Sequence, residues 1–234
     1  MQIERYRIES IENPISDVKI FRLQSEDGKV LRFLPGQFVF IHLLDAEGKS
    51  IIKRPYSIAS SPSDPYLEFG IEMRSGDMTK RLDKLKAGEG VGVEGPFGKM
   101  ALTQEKKAAF IAGGVGITPF MSMIRFICVK KAEGSFVLFY SVRSIDKILY
   151  KDELERLQKK NPALKVVITI TRETPPDWIG ECGRISKEMI AKHLDKASET
   201  EWFLCGSPEM VKGVRSCLEG LGVDQKKIKM EGWG

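Results

Sequence analysis

A chain of 234 residues can hold one large domain or two of ordinary size, and its 42% apolar and 29% charged residues indicate a folded globular protein. No apolar run is long enough to cross a bilayer, and the first residues are not those of a signal peptide, so no membrane span is expected. The net charge of +5 is small and scattered, which argues against a nucleic-acid partner.

The cysteine pattern excludes the common metal sites. The chain contains neither a Cys-x-x-Cys pair nor histidines at zinc-ligand spacing, so no metal is predicted. The four cysteines fit a reducing compartment, and we expect a cytoplasmic protein. They are Cys128, Cys182, Cys205 and Cys217.

Residues 1–104 show short strands separated by turn residues, among them Phe38–Leu44 and Val91–Glu94. The Asp27-Gly28 pair is a hairpin signal. One short helix is expected here, over Met78–Leu85. Strands at this spacing predict a small closed barrel or a sandwich for the first domain.

From residue 105 to residue 234 strands and helices alternate, which predicts right-handed crossovers and a parallel sheet in a second domain. The predicted strands are Ala108–Ala112, Phe136–Ser141, Leu164–Ile170, Glu201–Cys205 and Lys227–Met230. The predicted helices are Pro119–Lys130, Asp146–Leu157, Ser186–Leu194 and Pro208–Leu221. Ligands of such sheets bind at the carboxyl ends of the strands. Four segments are expected along that edge: Gly113–Thr118, Ser141–Ser144, Thr171–Glu173 and Cys205–Gly206.

The segment Gly113–Pro119, Gly-Gly-Val-Gly-Ile-Thr-Pro, joins a predicted buried strand to a predicted buried helix. Glycines there allow backbone amides to approach a ligand at the positive end of the helix, and Pro119 suits the first helical turn. The spacing differs from the dinucleotide pattern Gly-x-Gly-x-x-Gly. By itself the segment fits close packing as well as it fits a nucleotide loop.

Four segments in this order make the chain recognisable: Arg54–Ser60 (Arg-Pro-Tyr-Ser-Ile-Ala-Ser), Gly95–Gly98 (Gly-Pro-Phe-Gly), Gly113–Pro119 and Phe203–Gly206. With these segments the chain resembles the ferredoxin–NADP reductase superfamily over essentially its full length. The resemblance implies an N-terminal antiparallel Greek-key β-barrel that binds FAD, followed by a C-terminal α/β domain with a parallel sheet that binds a nicotinamide nucleotide.

The resemblance assigns the flavin to the first domain. Arg54 would hold the pyrophosphate, since a guanidinium binds phosphate through two parallel hydrogen bonds. Tyr56, beyond Pro55, would lie against the isoalloxazine ring, and Ser57 would hydrogen-bond to N5, the atom that receives hydride. A glycine-x-x-Ser/Thr segment would bind the pyrophosphate through its amides, which favours FAD over FMN. Its residues are Gly76, Asp77, Met78 and Thr79.

The resemblance assigns the nicotinamide nucleotide to the glycine loop, with Thr118 between the two ligands. Gly206 would lie beside the nicotinamide. The catalytic candidates are Ser57, Cys205 and Glu231, where Cys205 shapes the pocket or simply ends a buried strand. Trp233 would either cover the flavin or pack between the domains. The loop residues are Gly113, Gly114, Gly116, Thr118 and Pro119.

The phosphate on the adenosine ribose distinguishes NADP from NAD. Thr171-Arg172-Glu173 resembles the Ser-Arg-Glu with which family members hold this phosphate. Arg143 and Arg184 lie in predicted loops that could approach it. NADP is therefore favoured over NAD, although arginines in such loops are also ordinary surface residues.

The expected function is transfer of hydride between NAD(P)H and FAD, and of single electrons to or from a protein acceptor such as ferredoxin or flavodoxin. One alternative is an electron-transfer subunit of a larger complex, of the dihydroorotate dehydrogenase or hydrogenase type. Many of those carry a C-terminal cysteine cluster, and no cysteine follows Cys217. The other alternative is a non-catalytic nucleotide-binding module, against which the intact Arg54–Ser57 segment argues.

Overall fold

The computed structural model describes residues 2–104 and 106–232, and its strands form two sheets. The first sheet has six antiparallel strands in the order β4-β3-β6-β1-β2-β5. Strand β6 lies between β1 and β3, and the end strands β4 and β5 come into contact, which gives the expected Greek-key barrel. The strands are β1 (Glu4–Ile15), β2 (Val18–Ser25), β3 (Phe38–Leu44), β4 (Ser50–Ser57), β5 (Leu67–Glu72) and β6 (Gly90–Phe97).

Strand alternation separates the barrel core from the outer face. Val39, Ile41 and Leu43 of β3 are buried in the core, while Phe38 and Phe40 lie on the opposite side of the same strand. The short helix α1 (Asp77–Leu82) adds Met78 and Leu82 to this core.

The second sheet is entirely parallel, in the order β10-β9-β8-β7-β11-β12. Helices α2 (Thr118–Val129) and α3 (Lys151–Lys160) cover one face, and α4 (Lys187–His193) and α5 (Pro208–Glu219) cover the other. Burial on both faces explains the continuous apolar runs of the central strands. The strands are β7 (Lys107–Gly113), β8 (Ser135–Ser144), β9 (Leu164–Glu173), β10 (Glu181–Cys182), β11 (Glu201–Gly206) and β12 (Ile228–Gly232). In the described part of the chain, no helix combines the length and apolar character that a membrane span requires.

Two local predictions need correction, and one strand was not predicted. The helix predicted over Asp146–Leu157 begins only at Lys151, because Ile148 and Leu149 are buried in a non-helical connection and Tyr150 has a left-handed φ of 60°. The Asp27-Gly28 turn ends β2 but joins no paired strands, since β2 pairs with β1 and β5. The sequence did not predict β4 as a strand; its Pro55 is tolerated because β4 is an edge strand.

Candidate functional site

The carboxyl ends of the parallel strands lie side by side, as predicted. Gly113 pairs with Ser141, Val142 pairs with Ile170, and Ala112 pairs with Cys205. The predicted nucleotide segments therefore share one edge of the second sheet.

The glycine loop combines close packing with an open backbone. A Cβ on Gly116 would lie 2.5 Å from the carbonyl oxygen of Cys205, and one on Gly113 would lie 2.6 Å from the sulfur of Met210. Gly114 instead has a left-handed φ of +54°, and no atom would lie within 4 Å of its Cβ. Gly116 thus seats the loop on the end of β11, Gly113 packs against Met210 of α5, and Gly114 leaves backbone accessible to a ligand.

Thr118 and Pro119 place the start of α2 against the barrel. The Thr118 hydroxyl donates to the Val115 carbonyl at 2.6 Å. A Cβ atom added to Gly70 of β5 would lie 2.9 Å from the methyl carbon of Thr118, so this methyl group packs closely against β5. Pro119 is buried in the first turn of α2. The loop therefore lies between the two sheets.

The Arg54–Ser57 segment forms the end of β4, where Phe38 pairs with Ser57. Alternation directs Arg54 and Tyr56 to one face and Pro55 and Ser57 to the other. Arg54 is exposed and donates to the Lys53 carbonyl at 2.8 Å. Burial raises the pKa of Tyr56 to about 12, so its phenol stays protonated. Ser57 is buried, with 8% of its residue surface exposed, and its hydroxyl has no hydrogen-bond partner among the described residues.

The Gly76–Thr79 segment begins helix α1, which lies against β4. The backbone N–H groups of its first turn have no intrahelical acceptor, as at any helix start. The Thr79 hydroxyl bonds to the carbonyls of Arg74 and Gly76, and Asp77 pairs with Arg81 at 3.1 Å. Buried Met78 anchors the turn. The structure thus places both candidate pyrophosphate segments on adjacent elements.

The side chain of Glu231 extends from the second sheet towards the barrel. It pairs with Cys205 on β11, and its Oε1 lies 3.0 Å from where a Cβ on Gly98 would be. Phe38 lies at a similar distance from the same position. The Oε2 atom is buried without a hydrogen-bond partner among the described residues. Burial raises the pKa of Glu231 to about 7.

The segments that carry the three catalytic candidates therefore approach one another where the two sheets meet. Phe38 pairs with Ser57 and lies beside Gly98, next to the Glu231 carboxyl, and Glu231 pairs with fully buried Cys205. Neither Phe38 nor Gly98 was predicted to lie next to Glu231, because no local pattern relates them to the C-terminal strand. Trp233 lies outside the described residues.

The predicted phosphate-binding residues lie at the opposite end of the same sheet edge. Thr171 donates to the Val142 carbonyl at 3.0 Å, and the Gly183 amide donates to the Ile170 carbonyl at 2.8 Å. These contacts bring the backbones of Arg143, Arg172 and Arg184 together. All three arginine side chains are exposed, and none forms an ion pair within the described ranges.

Comparison with known proteins covers both sheets. Residues 5–102 match the family model described as the oxidoreductase FAD-binding domain, and residues 110–216 match the oxidoreductase NAD-binding domain. The chain is 33% identical to NADH–cytochrome b5 reductase 1 of Arabidopsis thaliana over 193 residues, covering 80% of this chain and 68% of the relative.

Two further similarities extend along nearly the whole chain. The glycine betaine monooxygenase reductase subunit of Pseudomonas aeruginosa (strain UCBPP-PA14) is 32% identical over 225 residues, which is 93% of this chain but 61% of the relative. The chain therefore spans less than two thirds of that protein. The FAD/NAD-binding domain of nitric oxide dioxygenase from Vibrio cholerae O1 biovar El Tor superimposes with a TM-score of 0.88. It covers 99% of this chain and 98% of that one at 20% identity, so it shows the fold alone.

The seating of the glycine loop predicts opposite effects for two identical substitutions. Gly116→Ala should lower the free energy of unfolding by about 1–3 kcal/mol, because its Cβ would overlap the end of β11. Gly213→Ala, inside α5 with no atom within 4 Å, should raise it by about 0.5–1 kcal/mol. Urea denaturation of both variants measures the two values. Equal effects of one sign would contradict the packing described.

The buried Glu231 carboxyl predicts a pH dependence of stability. With its pKa raised from 4.5 to about 7, the folded state binds more protons than the unfolded state between these values. Stability from this group is therefore greatest at low pH and is lost as the pH rises through 7. Between pH 5 and pH 8, wild type should lose about 2–3 kcal/mol more than Glu231→Gln. Denaturation at equal flavin content measures this, and parallel pH profiles would disprove it.

Proposed function

The chain belongs to the ferredoxin–NADP reductase superfamily, and on that premise we propose that it is an FAD-dependent reductase that passes electrons from a nicotinamide nucleotide to a protein acceptor. The observation that supports this proposal is that a barrel of the FAD-binding type meets a sheet of the NAD-binding type at the segments of Ser57, Cys205 and Glu231. We place the boundary between the domains at residues 104 and 105. We also propose a cytoplasmic location, which fits four cysteines that form no disulfide among the described residues.

The residues present fit FAD. Arg54 offers an exposed guanidinium and the Gly76–Thr79 turn offers free amides, which together suit a pyrophosphate. Tyr56 offers a planar, protonated phenol, and Ser57 has an unused hydroxyl. When bound, FAD accepts two electrons as hydride and releases them one at a time. We propose that Ser57 hydrogen-bonds to the flavin N5 and that Pro55 orients the segment.

The nucleotide site follows from the sheet edge. We propose that Gly113, Gly114 and Gly116 admit the nucleotide backbone, with Gly206 beside the nicotinamide and Thr118 and Pro119 ordering the helix start. Cys205, fully buried, shapes the pocket instead of acting as a nucleophile. Glu231 holds or releases a proton near neutral pH beside these residues, because its burial raises its pKa to about 7.

The acceptor is proposed to be a redox protein such as ferredoxin or flavodoxin. Relatives named as reductases of a monooxygenase and of cytochrome b5 support a protein acceptor. The alternative is an electron-transfer subunit of a larger complex. It stays open because the chain spans only 61% of the length of the Pseudomonas relative. A non-catalytic nucleotide module is disfavoured, because the unpaired Ser57 hydroxyl and Glu231 Oε2 have no structural partner in the described chain.

The absorbance spectrum of the purified protein tests this function. We expect a yellow protein that releases FAD on denaturation and loses its flavin absorbance when titrated anaerobically with NADPH or NADH. Addition of oxidised ferredoxin or cytochrome b5 should then restore the absorbance. A colourless protein, a released flavin that is FMN, or FAD that neither nucleotide bleaches would each contradict the proposal.

We propose NADPH as the preferred nucleotide, because Arg143, Arg172 and Arg184 are exposed and their backbones lie close to Thr171. Arg172→Ala should weaken NADPH binding by roughly 1–2 kcal/mol, about tenfold, and leave NADH almost unchanged. The effect should shrink at high salt, since the contact is exposed.

Arg156→Ala, an exposed arginine on α3, is the matched control and should change neither affinity. Dissociation constants for both nucleotides at two ionic strengths give the comparison. Parallel changes for NADPH and NADH in Arg172→Ala would remove the reason for preferring NADP.

A further inference from the structure

A buried arginine ties the helix of the nucleotide loop to the barrel. Arg125 of α2 donates through Nη1 to the carbonyl of Ala59 at 2.9 Å and to Glu68 at 2.8 Å. One turn earlier, the buried Ser122 hydroxyl donates to the carbonyl of Ser60 at 2.7 Å. All three acceptors belong to the barrel, so these bonds cross from one domain to the other.

The acceptor carboxylate is completely enclosed. Glu68 on β5 has a side-chain exposure of 0%, and Arg125 has one of 11%. Tyr150 donates its hydroxyl to Glu68 at 3.2 Å, and Arg125 uses its other nitrogens on both oxygens of Glu153 at 2.8 Å. We call Glu68, Ser122, Arg125, Tyr150 and Glu153 the interdomain clamp.

The polar contacts of the clamp are better suited to fixing the relative position of the two domains than to stabilising the fold. Burial opposes the charge of Arg125, but the hydrogen bond to Glu153 and the charge of Glu68 keep its pKa above the usual value. Buried ion pairs of this kind are often no more stabilising than apolar residues of the same volume. Their bonds are directional, however, and apolar packing is not. A cluster with so many satisfied donors therefore fixes where the two domains lie.

The clamp connects the two candidate ligand segments over short stretches of chain. Only Ile58 lies between the Arg54–Ser57 segment and the two acceptors Ala59 and Ser60. Ser122 and Arg125 lie one and two turns after Thr118 on α2. A shift of α2 against the barrel would move Thr118 relative to Ser57, and the clamp opposes that shift.

We propose that Arg125, assisted by Ser122, is a positioning residue for hydride transfer, an inference that depends on the proposed function. The step moves a hydride, with its two electrons, from C4 of the reduced nicotinamide to N5 of the oxidised flavin, which oxidises the nucleotide and reduces the flavin. Its rate depends steeply on the separation of these atoms, and a displacement of about 1 Å can cost about 100-fold. The clamp sets that separation without touching either ligand.

The test compares Arg125→Lys with Arg22→Lys. Both substitutions remove a guanidinium contact to Glu68, but Arg22 lies on β2 and its contact, at 2.9 Å, stays inside the barrel. The readouts are flavin content, nucleotide dissociation constant, melting temperature and the stopped-flow rate of flavin reduction at saturating nucleotide. Reduction is measured with reduced nucleotide that carries either hydrogen or deuterium at C4 of the nicotinamide, because an isotope effect identifies the hydride step.

We expect Arg125→Lys to slow the isotope-sensitive step about tenfold or more, with flavin content unchanged and nucleotide affinity within twofold of wild type. Arg22→Lys should keep the wild-type rate within twofold. An unchanged rate in Arg125→Lys overturns the proposal, and so does an equal slowing in Arg22→Lys at an equal loss of melting temperature.

Two further outcomes are decisive. If Arg125→Lys does not fold, Ser122→Ala replaces it: a slowing of about threefold supports the proposal, and an unchanged rate overturns it. If wild type holds FAD that neither NADPH nor NADH bleaches, the proposed function fails and the positioning role fails with it. Failure of the clamp alone leaves wild-type reduction intact, so the two failures are distinguishable.

Discussion

The contact between Gly116 and the end of β11 is the constraint on which the rest of this arrangement depends. The backbone of the loop approaches the Cys205 carbonyl so closely that any side chain at position 116 would overlap it. This approach decides where α2 begins, and the start of α2 decides where Thr118, Ser122 and Arg125 meet the barrel. A packing contact within one domain thus governs the interface between both domains.

Two carboxyl groups at the interface, fully buried Glu68 and partly buried Glu231, have opposite surroundings. Glu68 accepts hydrogen bonds from Arg22, Arg125 and Tyr150, so three side chains hold it in place. Glu231 has a buried oxygen without a partner in the described chain, and burial raises its pKa to about 7. A fully paired charge suits a fixed structural role, whereas an unpaired group that titrates near neutrality suits chemistry or ligand binding.

Family membership and site geometry support different levels of the functional conclusion. Matches over both domains establish an oxidoreductase framework with an FAD-binding and an NAD-binding half. The proposed preference for NADPH rests on a few exposed arginines at the far end of the sheet edge, where small changes in charge alter specificity. The protein acceptor is a proposal drawn from the names of relatives, and the chain spans only part of the Pseudomonas relative.

The sequence by itself determined most elements, the two-domain order and the candidate residues, because periodicity and turn residues are local properties of the chain. It misplaced the start of α3 and missed β4 as a strand, since the burial of Ile148 and Leu149 and the edge position of Pro55 depend on the assembled sheets. Only the tertiary structure joined Glu231 to Gly98 and Arg125 to Glu68. An apolar pattern records that a face is buried, but the partner that buries it is chosen by packing between distant segments.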